Sequence, residues 1–385
     1  MSSKDIADKV AVVGIGTTDF GAMYRNLDPE RTSYDVGVEA FVNALEDSGL
    51  KKSDIDGVLV SNIPDYQRFC DIIGLKNPRF ENALFGGGRY CPLSIMYATM
   101  VINAGLADTV AVVYGNVNRS VHNRFGGGEG GHPSGMSNAA YGMTSPGAAL
   151  AHMWRRYQYL YNPPEETLGY FAVNSRANAA LNPIAVMRTP LTMDDYLNAR
   201  YIAEPLRLLD YCLINDGGVC LILRRADMSR DLKHPPAYIH AFGSAGNTAY
   251  EYGLGGTADD CYFDSLSMVA KDVFATSEIQ RDDIDVAQIY ENFTPVFLFT
   301  LEGLGFCKRG EGAQFVTPEL IARDGKLPIN TSGGHTSESY MQGWALMCEN
   351  VRQIRGEAGP RQVANVETAM YANAAPISNV VLFRK

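Results

Sequence analysis

Ser48-Gly49-Leu50-Lys51-Lys52-Ser53-Asp54-Ile55-Asp56 and Ser277-Glu278-Ile279-Gln280-Arg281-Asp282-Asp283-Ile284-Asp285 follow one pattern, Ser-x-(Leu/Ile)-x-x-x-Asp-Ile-Asp, in the two halves of a 385-residue chain. The same offset carries Val12-Val13-Gly14 onto Ala241-Phe242-Gly243. Asp-Ile-Asp turns are common and each match is weak alone, but three matches in one register indicate a duplicated unit. In both copies a strand opens the unit and a helical stretch follows. The Asp-Ile-Asp turn then leads into a second strand, at 57–61 or 286–290. Strands alternating with helices predict an α/β protein with a mostly parallel, buried sheet. The duplication divides the chain into an N-terminal half, 1–230, and a C-terminal half, 231–385.

Charge and composition exclude several function classes. The formal net charge is −10, whereas a nucleic-acid binder needs a basic surface to neutralise phosphates. No apolar run approaches the ~18 residues that suggest a membrane span. The opening Met1-Ser2-Ser3-Lys4-Asp5 is polar and lacks the apolar stretch of a signal peptide. A cytoplasmic location is the default expectation. The seven cysteines are scattered, with no CxxC pair and no His/Cys cluster at zinc-ligand spacing, so no metal site is expected. Buried, reduced thiols are the plain reading for them.

Glycine loops introduce a helix in each half. Gly86-Gly87-Gly88 precedes a segment with Pro92 near its start, Gly105 past its end, and Leu93, Ile95, Met96, Met100, Val101 and Ile102 between. Apolar residues on nearly every face predict a buried helix. Its N-terminal glycine loop offers free backbone N–H groups to an anion or a developing enolate oxygen; equally, it offers a backbone crossing that only glycine permits. In the second half, Gly333-Gly334 precedes a helix with Trp344, Met347, Val351 and Ile354 on one face. Tyr340 falls at or just before the start of that helix, and Tyr290 ends the strand after the second Asp-Ile-Asp turn. Each tyrosine reads either as a core phenol or as a group facing a cleft. The polar stretch from about 116 to 200 contains Gly126-Gly127-Gly128-Glu129-Gly130-Gly131, which lacks the Gly-Lys-Ser/Thr ending of a phosphate loop and reads as a surface excursion. It also carries Arg155, Arg156, Arg176 and Arg188, either solvated or gathered as a phosphate-binding patch.

These residues resemble the thiolase superfamily, close to the sterol-carrier-protein thiolases. The similarity runs from Val12-Val13-Gly14-Ile15-Gly16-Thr17-Thr18-Asp19-Phe20 through Gly105-Leu106-Ala107-Asp108, Asp216-Gly217-Gly218 and Tyr290-Glu291-Asn292-Phe293-Thr294 to the segment 329–343. The resemblance implies a thiolase fold, five layers (αβαβα) built from two similar halves, with a loop domain at about 116–200 inserted in the first. The departures are specific. Gly88 stands where thiolases carry the nucleophilic cysteine. Tyr340 stands at the histidine of the Gly-His-Pro motif, Tyr290 at the asparagine or histidine before Glu-x-Phe, and Ala372 near the second cysteine. With Gly86 to Cys91, Leu301 to Cys307 and Leu327 to Gly334, this pattern resembles the lipid-transfer-protein-type aldolases that shorten steroid side chains. That resemblance implies a carbon–carbon lyase acting on a β-hydroxyacyl-CoA, with coenzyme A as part of the substrate and no tightly bound cofactor. It also implies a homodimer within a heterotetramer, completed by an OB-fold partner that can bind zinc.

Retro-aldol cleavage needs a base for the β-hydroxyl proton, donors for the thioester enolate and a proton for that enolate. It needs no covalent intermediate. A phenol whose pKa moves from ~10 toward neutrality can act as acid or base. Tyr290 and Tyr340 are the expected acid/base pair. Backbone N–H groups around Gly88 and Gly334 are the expected enolate-binding groups, and Asn292 and His335 are candidate supporting donors. Two alternatives remain at this stage. One is a thiolase using Cys91, near a helix start where a thiolate is favoured. The other is a non-catalytic lipid-transfer subunit.

Overall fold

The computed structural model describes residues 6–88, 90–123, 145–246, 262–374 and 377–385. The first half contributes β1 (Val10–Thr17), β2 (Gly57–Ser61), β3 (Phe80–Ala83) and β4 (Thr109–Asn116). A short hairpin, β5 (Tyr201–Ala203) with β6 (Leu206–Arg207), precedes β7 (Gly217–Arg225). The second half contributes β8 (Ala237–Gly246), β9 (Val286–Ile289), β10 (Thr368–Asn373) and β11 (Ile377–Arg384). Apart from the hairpin, these strands form one nine-stranded sheet in the order β3-β2-β4-β7-β1-β8-β11-β10-β9.

The order displays the duplication. Reading outward from the β1–β8 junction gives β1-β7-β4-β2 on one side and β8-β11-β10-β9 on the other. The sequence repeat maps onto this pairing: β2 and β9 each follow an Asp-Ile-Asp turn, and a short 3-10 helix at Lys52–Asp54 or Arg281–Asp283 precedes each. The last aspartate of each turn does the same job. Asp56 accepts from the N–H groups of Asp108 and Thr109 at the start of β4. Asp285 accepts from Glu367 and Thr368 at the start of β10. Each carboxylate thus ties the strand it introduces to the neighbouring strand.

The sheet is mixed rather than mostly parallel. Only β2–β3, β2–β4 and β9–β10 pair in parallel. In each half the last strand, β7 or β11, returns antiparallel beside β4 or β10. The repeated turn reports only the parallel crossover, so the returning strand is hidden from it.

Three cores separate the layers. One packs the Ser33–Ser48 and Tyr66–Ile73 helices against the outer face of the first half through Phe41, Val58, Phe69, Val113 and Ile222. Another packs the Phe263–Thr276 and Pro295–Gly303 helices on the second half. Between them, the Tyr90–Asn103 and Trp344–Arg355 helices lie against strands of both halves, with Ile95, Leu221, Trp344, Met347 and Phe383 in one cluster. These are the α, β, α, β and α layers. The Tyr90–Asn103 helix begins two residues before Pro92, which falls in its first turn. It is not buried on every side: Met100 is 44% exposed, so one flank is uncovered within the described residues.

Candidate active site

Tyr290 continues the line of β9, its N–H donating to the Ala372 carbonyl at 2.8 Å. Tyr340 follows the short Gly334–Ser337 turn of helix, its N–H donating to Asn215 Oδ1 at 2.7 Å. These anchors bring together two residues 50 apart in sequence: the phenol oxygens lie 2.7 Å from each other. Both side chains border the central core and each keeps 8% exposure. In such a pair one hydroxyl donates to the other.

Gly88 explains how the pair fits. A Cβ built at this position would lie 1.9 Å from Tyr290 Cε2 and 2.4 Å from its hydroxyl oxygen. The phenol therefore occupies the space that any side chain at 88 would need. Of the two readings of the glycine loop, close approach is the one this geometry supports. The Gly88 carbonyl accepts from Cys91 N–H within the helix start. Cys91 itself is fully buried, and burial pushes its thiol well above the ordinary range, with Cys348 nearby adding to the effect. A thiol held neutral there is a core group and a poor nucleophile.

His335 forms the wall behind both phenols. Its ring meets Tyr290 edge-on with centroids 4.7 Å apart, and Tyr340 at 5.2 Å. The Gly343 N–H, which can only donate, points at His335 Nε2 at 2.9 Å. That fixes the tautomer: Nδ1 carries the hydrogen and donates to the Glu291 carbonyl at 3.1 Å. Burial holds the ring's pKa down at about 3, so it is neutral. Both nitrogens are committed to backbone, so no ring N–H is left for a substrate.

The Glu291 carboxylate, fully buried, takes the amides next to Gly334. It accepts from the N–H groups of His335 and Thr336 and from Asn330 Nδ2 at 2.7 Å. A Cβ at Gly334 would lie 2.1 Å from Glu291 Oε1. The positive end of this short helical turn thus faces the protein's own carboxylate rather than open space. Burial raises the Glu291 carboxyl well above the usual range despite these donors. Asn292 is half-buried, and its carbonyl accepts from Cys212 N–H at 3.0 Å.

Burial also moves Tyr340 away from neutrality. Tyr340 is pushed well above its ordinary value, first by desolvation and then by Tyr290. That direction is opposite to the one expected of a phenol tuned toward neutral pH. Three of the four arginines have protein partners among the described residues. Arg155 pairs with Glu204, Arg176 bonds Ser337 Oγ and the Thr189 carbonyl, and Arg188 reaches the Ala180 carbonyl. The 126–131 glycine segment lies outside the described residues. Asn215, Asn330 and Glu291 hold the site together and were not singled out as site residues. Glu291 and Asn330 fall inside motifs that mark the family, and Asn215 immediately precedes Asp216-Gly217-Gly218.

A phenol pair seated on a glycine, between two duplicated α/β halves, sits on a thiolase-class scaffold. Residues 246–380 match the family model described as thiolase C-terminal domain-like. The chain is 33% identical to the steroid side-chain-cleaving aldolase of Thermomonospora curvata, over 97% of both chains. It is 32% identical to the 17-hydroxy-3-oxo-4-pregnene-20-carboxyl-CoA lyase of Mycobacterium tuberculosis, over 98% of this chain and 100% of the other. The solved structure of an Ltp2-ChsH2(DUF35) aldolase matches with a TM-score of 0.90 at 29% identity, covering 98% of each chain. The chain belongs to the family of thiolase-fold, steroid side-chain-cleaving aldolases.

Proposed function

We propose that this enzyme cleaves the Cα–Cβ bond of a β-hydroxyacyl-CoA with a bulky, steroid-like acyl group, releasing a shortened acyl-CoA and a ketone or aldehyde. The observation that carries this reading is the 2.7 Å contact between the Tyr290 and Tyr340 hydroxyls above Gly88. One phenol oxygen takes the β-hydroxyl proton while its own proton passes to the partner oxygen. The carbonyl forms at Cβ as the Cα–Cβ electron pair moves into the thioester enolate. In the same concerted step the partner phenol gives its own proton to Cα, so neither oxygen holds two protons. The proton taken from oxygen is returned to carbon, so the step is balanced and neither phenol needs to be ionised at rest. The upward push on the Tyr340 phenol suits such a relay, because a neutral phenol can hand a proton along without releasing it to solvent.

In this reading the segment 116–200 is the loop domain over the cleft, since its helices Pro146–Tyr161 and Thr167–Ala180 pack on the second-half core. Asn292 and the backbone around Gly88 and Gly334 border the acyl-CoA, and coenzyme A enters as part of the substrate. Assembly follows the same reading: a homodimer, using the uncovered flank of the Tyr90–Asn103 helix, joined by an OB-fold partner that can carry zinc. A cytoplasmic site of action accords with a chain in which no described helix is long and apolar enough to cross a membrane.

Product analysis by mass spectrometry tests this with the partner present and no added coenzyme A. Equal amounts of shortened acyl-CoA and carbonyl product are expected from β-hydroxyacyl-CoA. Cleavage that appears only when free coenzyme A is supplied would establish thiolysis instead, and bound lipid without cleavage would establish a carrier.

A further inference from the structure

Asn330 completes the strand end that carries Tyr290. β9 is an edge strand of the nine-stranded sheet. On its open side the segment 328–330 runs beside it for a single bridge. Ala287 N–H donates to the Pro328 carbonyl at 2.9 Å, and Asn330 N–H donates to the Ala287 carbonyl at 3.0 Å. The chain then leaves the strand, turning at Asn330 with φ +48°, a left-handed conformation that asparagine tolerates better than most residues. Where the backbone departs, the Asn330 side chain takes over. Its Oδ1 accepts from the Ile289 N–H at 2.7 Å, and its Nδ2 donates to the Ile289 carbonyl at 2.9 Å. A side-chain amide thus stands in for the next peptide of a partner strand, at the residue just before Tyr290.

The second hydrogen of Nδ2 goes to Glu291 Oε2 at 2.7 Å. One fully buried amide therefore grips the residue before Tyr290 and the residue after it. The other oxygen of Glu291 holds the His335 N–H, and the His335 ring packs edge-on against both phenols. Asn330 is itself tied down from the other side. Asn174, Asn178 and Asn182 recur every four residues along the Thr167–Ala180 helix and just past its end, so they share one face. Their amides donate to the carbonyls of Ile329, Asn330 and Ser332. Every link from this helix to the strand end at Tyr290 is a hydrogen bond of 3.3 Å or less.

We propose that Asn330 is a positioning residue for the cleavage step, its amide fixing as one unit the strand end that aims Tyr290 and the Glu291 carboxyl that seats His335. This rests on the phenol-pair reading of the site. A residue that only sealed an edge strand would contribute to stability and leave the turnover of the folded enzyme unchanged.

The tests are Asn330→Gly and Asn330→Asp in the partner-bound enzyme, each followed by thermal unfolding and by kcat and KM on one thioester. Glycine adopts a positive φ freely, so it removes the three side-chain bonds without straining the backbone. Aspartate keeps the shape and the acceptor for Ile289 N–H, but sets a carboxyl against Glu291. Two carboxyls so placed keep a proton between them until the pH is high. Glu291 is the titratable group in contact with this position. His335, Cys212 and Tyr371 are coupled to Glu291, and Glu349, paired with Arg361, lies beyond Thr331. Asn330→Gly should lower kcat about tenfold, the scale of one hydrogen bond, with KM unchanged. Asn330→Asp should approach the parent's kcat near about pH 6 and fall about tenfold below it by about pH 9, as the shared proton leaves. A parent-like kcat in folded Asn330→Gly overturns the proposal, whatever its Tm. So does a constant ratio of Asn330→Asp to parent across that pH range, which decides the matter alone where Asn330→Gly does not fold. Tyr290→Phe, measured alongside, separates the two levels. If it is inactive while the Asn330 variants match the parent, only the role of Asn330 fails. If Tyr290→Phe is fully active, the phenol pair itself fails.

Discussion

The two halves share a scaffold but not a task. Asp56 and Asp285 occupy equivalent turns and make equivalent bonds to the first amides of β4 and β10. The two glycine loops, by contrast, have diverged in use. In the first half, Gly88 contributes space, and the atoms filling it belong to the other half. In the second half, the Gly333–Gly334 segment is packed with function: it wraps the Glu291 carboxylate, seats His335 and delivers Tyr340. The scaffold role is thus symmetric, while the chemical groups sit almost entirely in one half. Losing a side chain in the first half is what admits a ring from the second.

The largest effect expected from breaking that asymmetry is at Gly88. Gly88→Ala places a methyl inside the Tyr290 ring volume, so the ring must move. A displacement on the order of 1 Å costs turnover about 100-fold. The loop is at the edge of the core, so unfolding should occur close to the parent's temperature. Kinetics and a melting curve on the same preparation check this.

The symmetric part of the comparison predicts matched losses. Asp56→Ala and Asp285→Ala each strand two strand-initiating amides, which costs about 1–3 kcal/mol apiece. Chemical denaturation of both variants measures it. A loss confined to one half would mean that the duplicated turns no longer do the same work.

The last expected effect depends on pH. Glu338 accepts from Asn182 Nδ2 and Ser332 Oγ, and burial, with Glu349 nearby, lifts its carboxyl from 4.5 to about 7. The folded state therefore holds a proton that the unfolded chain gives up. The stabilisation is complete below pH 4.5 and is lost as pH rises through 7, at about 1.4 kcal/mol per unit. Glutamine can keep both bonds, with Nε2 donating to Ser332. Glu338→Gln should then unfold later than the parent at pH 8, with the gap closing by about pH 5. A gap independent of pH would show that Glu338 does not titrate in that window.

Much of this was legible in the sequence because it was local. The Asp-Ile-Asp turns announced the duplication, and the motifs around positions 88, 290 and 340 marked the residues that the fold brings together. What escaped was decided by packing across the fold. No spacing tells that Gly88 faces Tyr290, since one precedes a helix in the first half and the other ends a strand in the second. The role of His335 is hidden for the same reason: its nitrogens are fixed by Gly343 and Glu291, and a ring bonded to backbone looks in sequence like a ring free to act. The upward push on the Tyr340 phenol was hidden because composition carries no record of desolvation, which dominates there. The antiparallel return of β7 and β11 lay outside the repeated motif and left no periodic signal.

The measurement that tests the phenol pair most directly is single-turnover cleavage of one β-hydroxyacyl-CoA by Tyr290→Phe and Tyr340→Phe, each assembled with the partner and each confirmed folded. Each change removes one of two oxygens 2.7 Å apart. Both variants should lose about 100-fold or more in the rate of carbonyl release, the range for an acid–base group. Carbonyl release at the parent's rate by both would contradict proton transfer through these two hydroxyls.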